Sequence, residues 1–116
     1  MDGTLFIGVM RVSLALPGAR TLKDRRSVVV GLRDRLIARF KVACHEVTRT
    51  EMPGSAEVLV VTGGASAPVV REALDRIRSH VVGNPGYVVA GVRVQVLAWS
   101  GGEADGGRPE WEGGDV

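Results

Sequence analysis

Apolar and polar positions alternate from Leu5 to Leu16: Phe6, Met10, Val12, Leu14 and Leu16 fall on one side, and Ile7, Val9, Arg11 and Ser13 on the other. A two-residue period is that of a strand, and the first set is the one expected against a core. Pro17 and Gly18 end it, because proline has no ladder donor and glycine turns the chain easily. From Thr21 the spacing lengthens. Leu22, Val29, Leu32, Leu36 and Phe40 recur at three- and four-residue steps, which predicts a long amphipathic helix with Thr21 as its N-cap. Gly31 inside that helix costs about 1 kcal/mol relative to alanine, so a close approach to the sheet is expected there.

A second strand is predicted at about Lys41 to Arg49, a turn at Pro53-Gly54-Ser55, and a third strand through Val58 to Val61. Two short strands joined by such a turn read as an antiparallel hairpin. Ser66 is placed to cap a second helix whose apolar stripe is Val69, Val70, Ala73, Leu74, Ile77 and Val81, ended by Asn84-Pro85-Gly86. The last strand runs from Tyr87 to about Trp99. Strand, helix, strand, strand, helix, strand is the split βαβ order of an α+β, ferredoxin-like domain. Right-handed crossovers would lay both helices on one face of a four-stranded antiparallel sheet. Its other face would carry Ile7, Val9, Arg11 and Ser13 beside Arg93, Gln95, Leu97 and Trp99.

The chain divides into a domain, residues 1–100, and a Gly-rich acidic tail, residues 101–116, without apolar periodicity. The formal charge of +2 hides a split: residues 1–100 hold 14 Lys and Arg against 8 Asp and Glu, while the tail holds one Arg against five acids. A single cysteine, Cys44, cannot form an intrachain disulfide, and this fits a reducing, cytoplasmic setting. The apolar stretch Leu5–Met10 is too short for a membrane span and lacks the basic lead of a signal peptide, so no membrane association is expected.

Little points to catalysis. His45 and Glu46 are adjacent on a strand and face opposite ways, and Cys44 shares a face with Glu46. His80 lies near the end of the second helix, where a cation suits the helix dipole. Gly63-Gly64-Ala65-Ser66 lacks the lysine and spacing of a nucleotide loop and reads as a plain strand-to-helix turn. No acid–base or nucleophile arrangement, metal set or cofactor motif follows, so a binding protein is expected rather than an enzyme.

The informative segment is Arg20-Thr21-Leu22-Lys23-Asp24-Arg25-Arg26. It places cations in the first turns of a helix, where the macrodipole favours anions. Phosphate oxygens would relieve that arrangement, so Arg20, Lys23, Arg25 and Arg26 are the candidate nucleic-acid contacts, with Arg33 and Arg39 extending the surface. Arg33, Arg35 and Arg39 spread around the helix, against a single stripe. RNA-binding sheets of this topology stack bases on aromatic residues, which the open face lacks at its centre, so contacts to the RNA backbone are expected instead. The rival expectation is a homodimer, or another protein contact, formed through the open sheet face with no nucleic-acid role.

The run from Leu16 to Arg26, followed by Leu32, Arg35, Phe40, Lys41-Val42 and Glu46, resembles the YlxP-like family of small bacterial proteins of unknown function over about residues 5 to 98. The resemblance implies a ferredoxin-like fold and no known catalytic residue. It also implies a gene neighbourhood shared with translation initiation and ribosome-maturation factors, hence ribosomal RNA or a ribosomal subunit as the partner. The chain departs from that pattern at Thr48-Arg49-Thr50-Glu51 and in its acidic tail.

Overall fold

A computed structural model describes residues 3–100. The elements follow in the order β1 (Leu5–Ala15), α1 (Leu22–Phe40), β2 (Ala43–Glu46), β3 (Ser55–Gly64), α2 (Ala67–Val82) and β4 (Val88–Trp99). The four strands form one sheet in the order β2-β3-β1-β4, and every neighbouring pair is antiparallel. This is the ferredoxin-like α+β arrangement that the alternation of elements predicts. The expectations for the 101–116 tail lie outside the described residues. No described helix is long and apolar enough to cross a membrane.

The helix-facing side of the sheet follows from strand alternation. Met10, Val12 and Leu14 of β1 and Ala56, Val58 and Val60 of β3 are buried, and Leu16 beyond β1 joins them. Val29, Leu32 and Leu36 of α1 and Val70, Leu74, Ile77 and Val81 of α2 close the layer above. Phe6 packs at the margin of this core. Gly8 sets how closely α2 approaches the sheet: a Cβ there would lie 2.6 Å from Val70 Cγ1 and 2.9 Å from Leu74 Cδ1. Gly31 does not have the role its position suggested. The only atom near its missing side chain is Arg35 Nη1 at 3.3 Å, so it faces away from the sheet.

Helix α1 begins with a reciprocal cap. Asp24 N donates to Thr21 Oγ1 at 3.0 Å, and Thr21 N donates to Asp24 Oδ2 at 3.1 Å. It ends at Lys41, which takes a left-handed conformation (φ 55°) and turns the chain directly into β2. That strand is shorter than its composition suggests. It pairs with β3 only over Ala43–Glu46, and the residues after Val47 leave the ladder to form the connection to β3. Ser66 occupies the N-cap of α2 but its hydroxyl makes no capping bond; Pro68 instead removes a backbone donor from the first turn. Beyond α2, the Tyr87 hydroxyl donates to the Val81 carbonyl at 2.7 Å in the core.

Candidate nucleic-acid interface

The six predicted phosphate ligands all lie on α1 or just before it, on the side of the molecule away from the open sheet face. Asp24 is the only carboxylate in the first turn, and it is committed to the backbone. One oxygen accepts from Thr21 N and also from Arg20 N at 2.9 Å. Those two amides hold the Asp24 carboxyl below the usual carboxylate range. It therefore stays ionised and bonded to main chain, and forms no ion pair with Lys23 or Arg26. Lys23 adds a smaller electrostatic pull on Asp24 without a salt bridge, Arg26 makes no ion pair among the described residues, and both are exposed, as is Arg20.

Arg25 has a different task from the one predicted. Its side chain is only 14% exposed, with Nε 3.6 Å from Glu46 Oε2. Its Nη1 donates to the carbonyls of Thr50 at 2.7 Å and Met52 at 3.1 Å. Glu46 also accepts from Thr48 Oγ1, which in turn accepts from Glu57 N at 2.9 Å. Arg25 thus staples α1 to the β2–β3 connection through Nη1 and its pairing with Glu46. The reason is positional: four and seven residues before the buried Val29 and Leu32, it shares their side of the helix.

Arg33 and Arg39 stand on opposite flanks. Arg33 bonds the exposed Asp34 through Nε and Nη2, both at 3.2 Å, in a solvent-facing pair worth no more than about 1 kcal/mol. It lies near Cys44 of β2, whose thiol is pushed up by burial against the opposing pull of that guanidinium. Lys23, Arg26 and Arg33 follow one another at three- and seven-residue spacing, so they form one line on the β2 side of α1. Arg39 lies over the Phe40 ring, 5.6 Å from its centroid, on the flank toward α2.

On that second flank Phe40 and His80 meet edge to face, with ring centroids 5.6 Å apart. Burial, then Arg39 and Arg35, lower the His80 pKa. This corrects the expectation of a cationic histidine at the end of α2: His80 is held neutral, with Nε2 buried and without a hydrogen-bond partner. His45 is exposed on β2 and faces away from Glu46, as strand alternation requires. Gly63 and Gly64 lie within β3, so no phosphate-binding loop forms ahead of α2. Among the described residues no three His, Cys, Asp or Glu side chains gather in a way that could hold a metal.

Residues 7–94 match the family described as "Protein of unknown function (DUF503)". The chain belongs to the DUF503 family. No curated protein matches this DUF503 chain. Among solved structures it is similar to the de novo designed protein Foldit4, at 16% identity and a TM-score of 0.48, over 80% of this chain and 96% of that one. It is also similar to a Bacillus cereus protein named for antibiotic biosynthesis monooxygenases, at 17% identity and a TM-score of 0.42, over 88% and 99% of the two chains.

Proposed function

We propose that this DUF503 protein is a cytoplasmic, non-enzymatic binding protein that holds RNA of the translation machinery along the β2-side flank of α1. The contacts are Arg20, Lys23, Arg26 and Arg33; Arg25 positions the helix, and Arg39 lies outside the line. One observation carries the reading: Lys23 and Arg26 are exposed at the positive end of a helix dipole while Asp24, the carboxylate of the first turn, is spent on backbone amides. An anionic partner supplies the charge that the helix start lacks. The YlxP-like resemblance of the same segment favours ribosomal RNA among polyanions. Recognition is of the phosphate backbone, because Phe40 and Tyr87 are taken up in packing and the described residues offer no aromatic platform beside these cations.

The test is a salt titration of a labelled single-stranded RNA against the parent and the Lys23→Gln/Arg26→Gln double variant. Loss of two phosphate contacts lowers the slope of log K against log salt by about 1.4. Equal affinity of parent and variant at every salt concentration overturns the assignment.

A further inference from the structure

The sheet face opposite the helices is uncovered by any described element. It carries Ile7 and Val9 on β1, Leu59 and Val61 on β3, and Leu97 and Trp99 on β4; the last two are 41% and 54% exposed. We infer that a second copy of this chain covers it, about a two-fold axis running along β1.

The strand register provides the argument. Across β1, residues at the same level pair as Glu57 with Gly91 (through Ser13), Leu59 with Arg93 (through Arg11), Val61 with Gln95 (through Val9) and Gly63 with Leu97 (through Ile7). At both ends of this set, the position on one side of β1 is a glycine and the position on the other is large. A two-fold along β1 exchanges the β3 side of one copy with the β4 side of the other while keeping the level. Leu97 of each copy then seats over the partner's Gly63, and Glu57 over the partner's Gly91. The axis keeps β1 of the two copies parallel, which the matched ends require: the levels of Ile7 and Ser13 lie about 20 Å apart, and a crossing of about 30° would displace each end sideways by about one strand spacing.

The two glycines are not demanded by the fold of the single chain. A Cβ on Gly91 would meet nothing within 4 Å, and one on Gly63 would meet only the Phe6 carbonyl at an ordinary 3.5 Å. Neither has a positive φ. Their small size makes recesses on the outer face alone, and the recesses match the side chains that the axis brings over them.

Charge agrees with shape. Arg93 lies directly across from Arg11, an unfavourable like-charge pair, and has no carboxylate partner among the described residues. Glu57 takes Arg11 Nη2 at 2.8 Å, Arg11 Nε at 3.0 Å and Ser13 Oγ at 3.2 Å, all on Oε1. Its Oε2 takes none of these bonds. Seated over the partner's Gly91, Glu57 lies one side-chain step from the partner's Arg93 and can pair with it. Arg11 reaches the seam already paired with Glu57, which is then shared with the partner's Arg93, so the two carboxylates of the pair sit among its four arginines. Three strands about 4.8 Å wide and ten residues long present about 500 Å² per copy in projection, or about 1,000 Å² for the pair, the lower limit of a specific interface.

Sedimentation of the full chain between about 1 and 100 µM tests this, since a contact of that size associates in or near this range. The parent is expected to dimerise with concentration. Gly63→Leu weakens the dimer about tenfold or more by clashing with the partner's Leu97, and Leu97→Ala weakens it by emptying the recess. The Gly63→Leu/Leu97→Ala double variant, which moves the bulk to the other side of the axis, recovers most of the affinity. Arg93→Glu weakens the dimer, and Lys23→Gln on the far side leaves it unchanged. A parent that stays monomeric throughout overturns the inference, whether residues 101–116 or another protein then occupies the face. A dimer in which the two size changes merely add overturns it equally.

Discussion

Arg25 Nη1 lies 2.7 Å from the carbonyl oxygen of Thr50, 25 residues along the chain, and so ties the start of α1 to the connection that leads into β3. Charge-assisted bonds to two carbonyls, formed by a side chain largely out of water, predict a loss of about 2 to 3 kcal/mol for Arg25→Ala in urea unfolding. Lys23→Ala, on the exposed flank, stays within about 0.5 kcal/mol. Equal stability of the two variants would show that the staple contributes nothing.

Gly8 permits the contact between β1 and α2. Gly8→Ala drives a methyl into Val70 Cγ1, on a stiff branched side chain, and is expected to cost about 1 to 3 kcal/mol in thermal unfolding. Adding Val70→Ala makes room for that methyl, so the double variant should lose less than the sum of the two single changes.

His80 makes stability depend on pH in a defined direction. Its folded pKa is lowered from the ordinary 6.5 by burial, Arg39 and Arg35. The unfolded chain therefore takes up a proton at a higher pH than the folded one. The neutral form's contribution is complete above the unfolded pKa and is lost as the pH falls through the folded pKa. Denaturation midpoints should fall from pH 7.5 toward pH 5 in the parent, and His80→Phe should flatten that decline. An unchanged decline in the variant would assign the acid sensitivity to other groups.

Periodicity made the architecture readable in advance. The two-residue alternation through Met10, Val12 and Leu14 and the helical spacing through Val29, Leu32 and Leu36 correspond to the buried faces that the fold displays. Element ends were less legible. Lys41 to Arg49 has strand-like composition, yet β2 stops at Glu46 because Arg25 and Thr48 hold the following backbone in a connection that only long-range bonds define. Within the basic segment, charge type was plain and its use was not. Arg25 and Arg26 are adjacent and chemically identical, but one lies above Val29 and Leu32 and the other a third of a turn away, toward solvent.

Hydrophobic period, turn residues and the N-cap Thr21 were enough to determine the fold class, the order of elements and most of the residues that enter the core, because these depend on interactions within a few residues along the chain; Leu22 and Val69, on the same helical stripes, stay exposed. Which arginine became a staple, which glycine admitted a helix and which glycines left recesses on the open face were decided only by tertiary structure. Each of those depends on which atoms distant in the chain arrive within a few ångströms: a carbonyl at Thr50, a methyl on Val70, a strand register that pairs Ile7 with both Gly63 and Leu97.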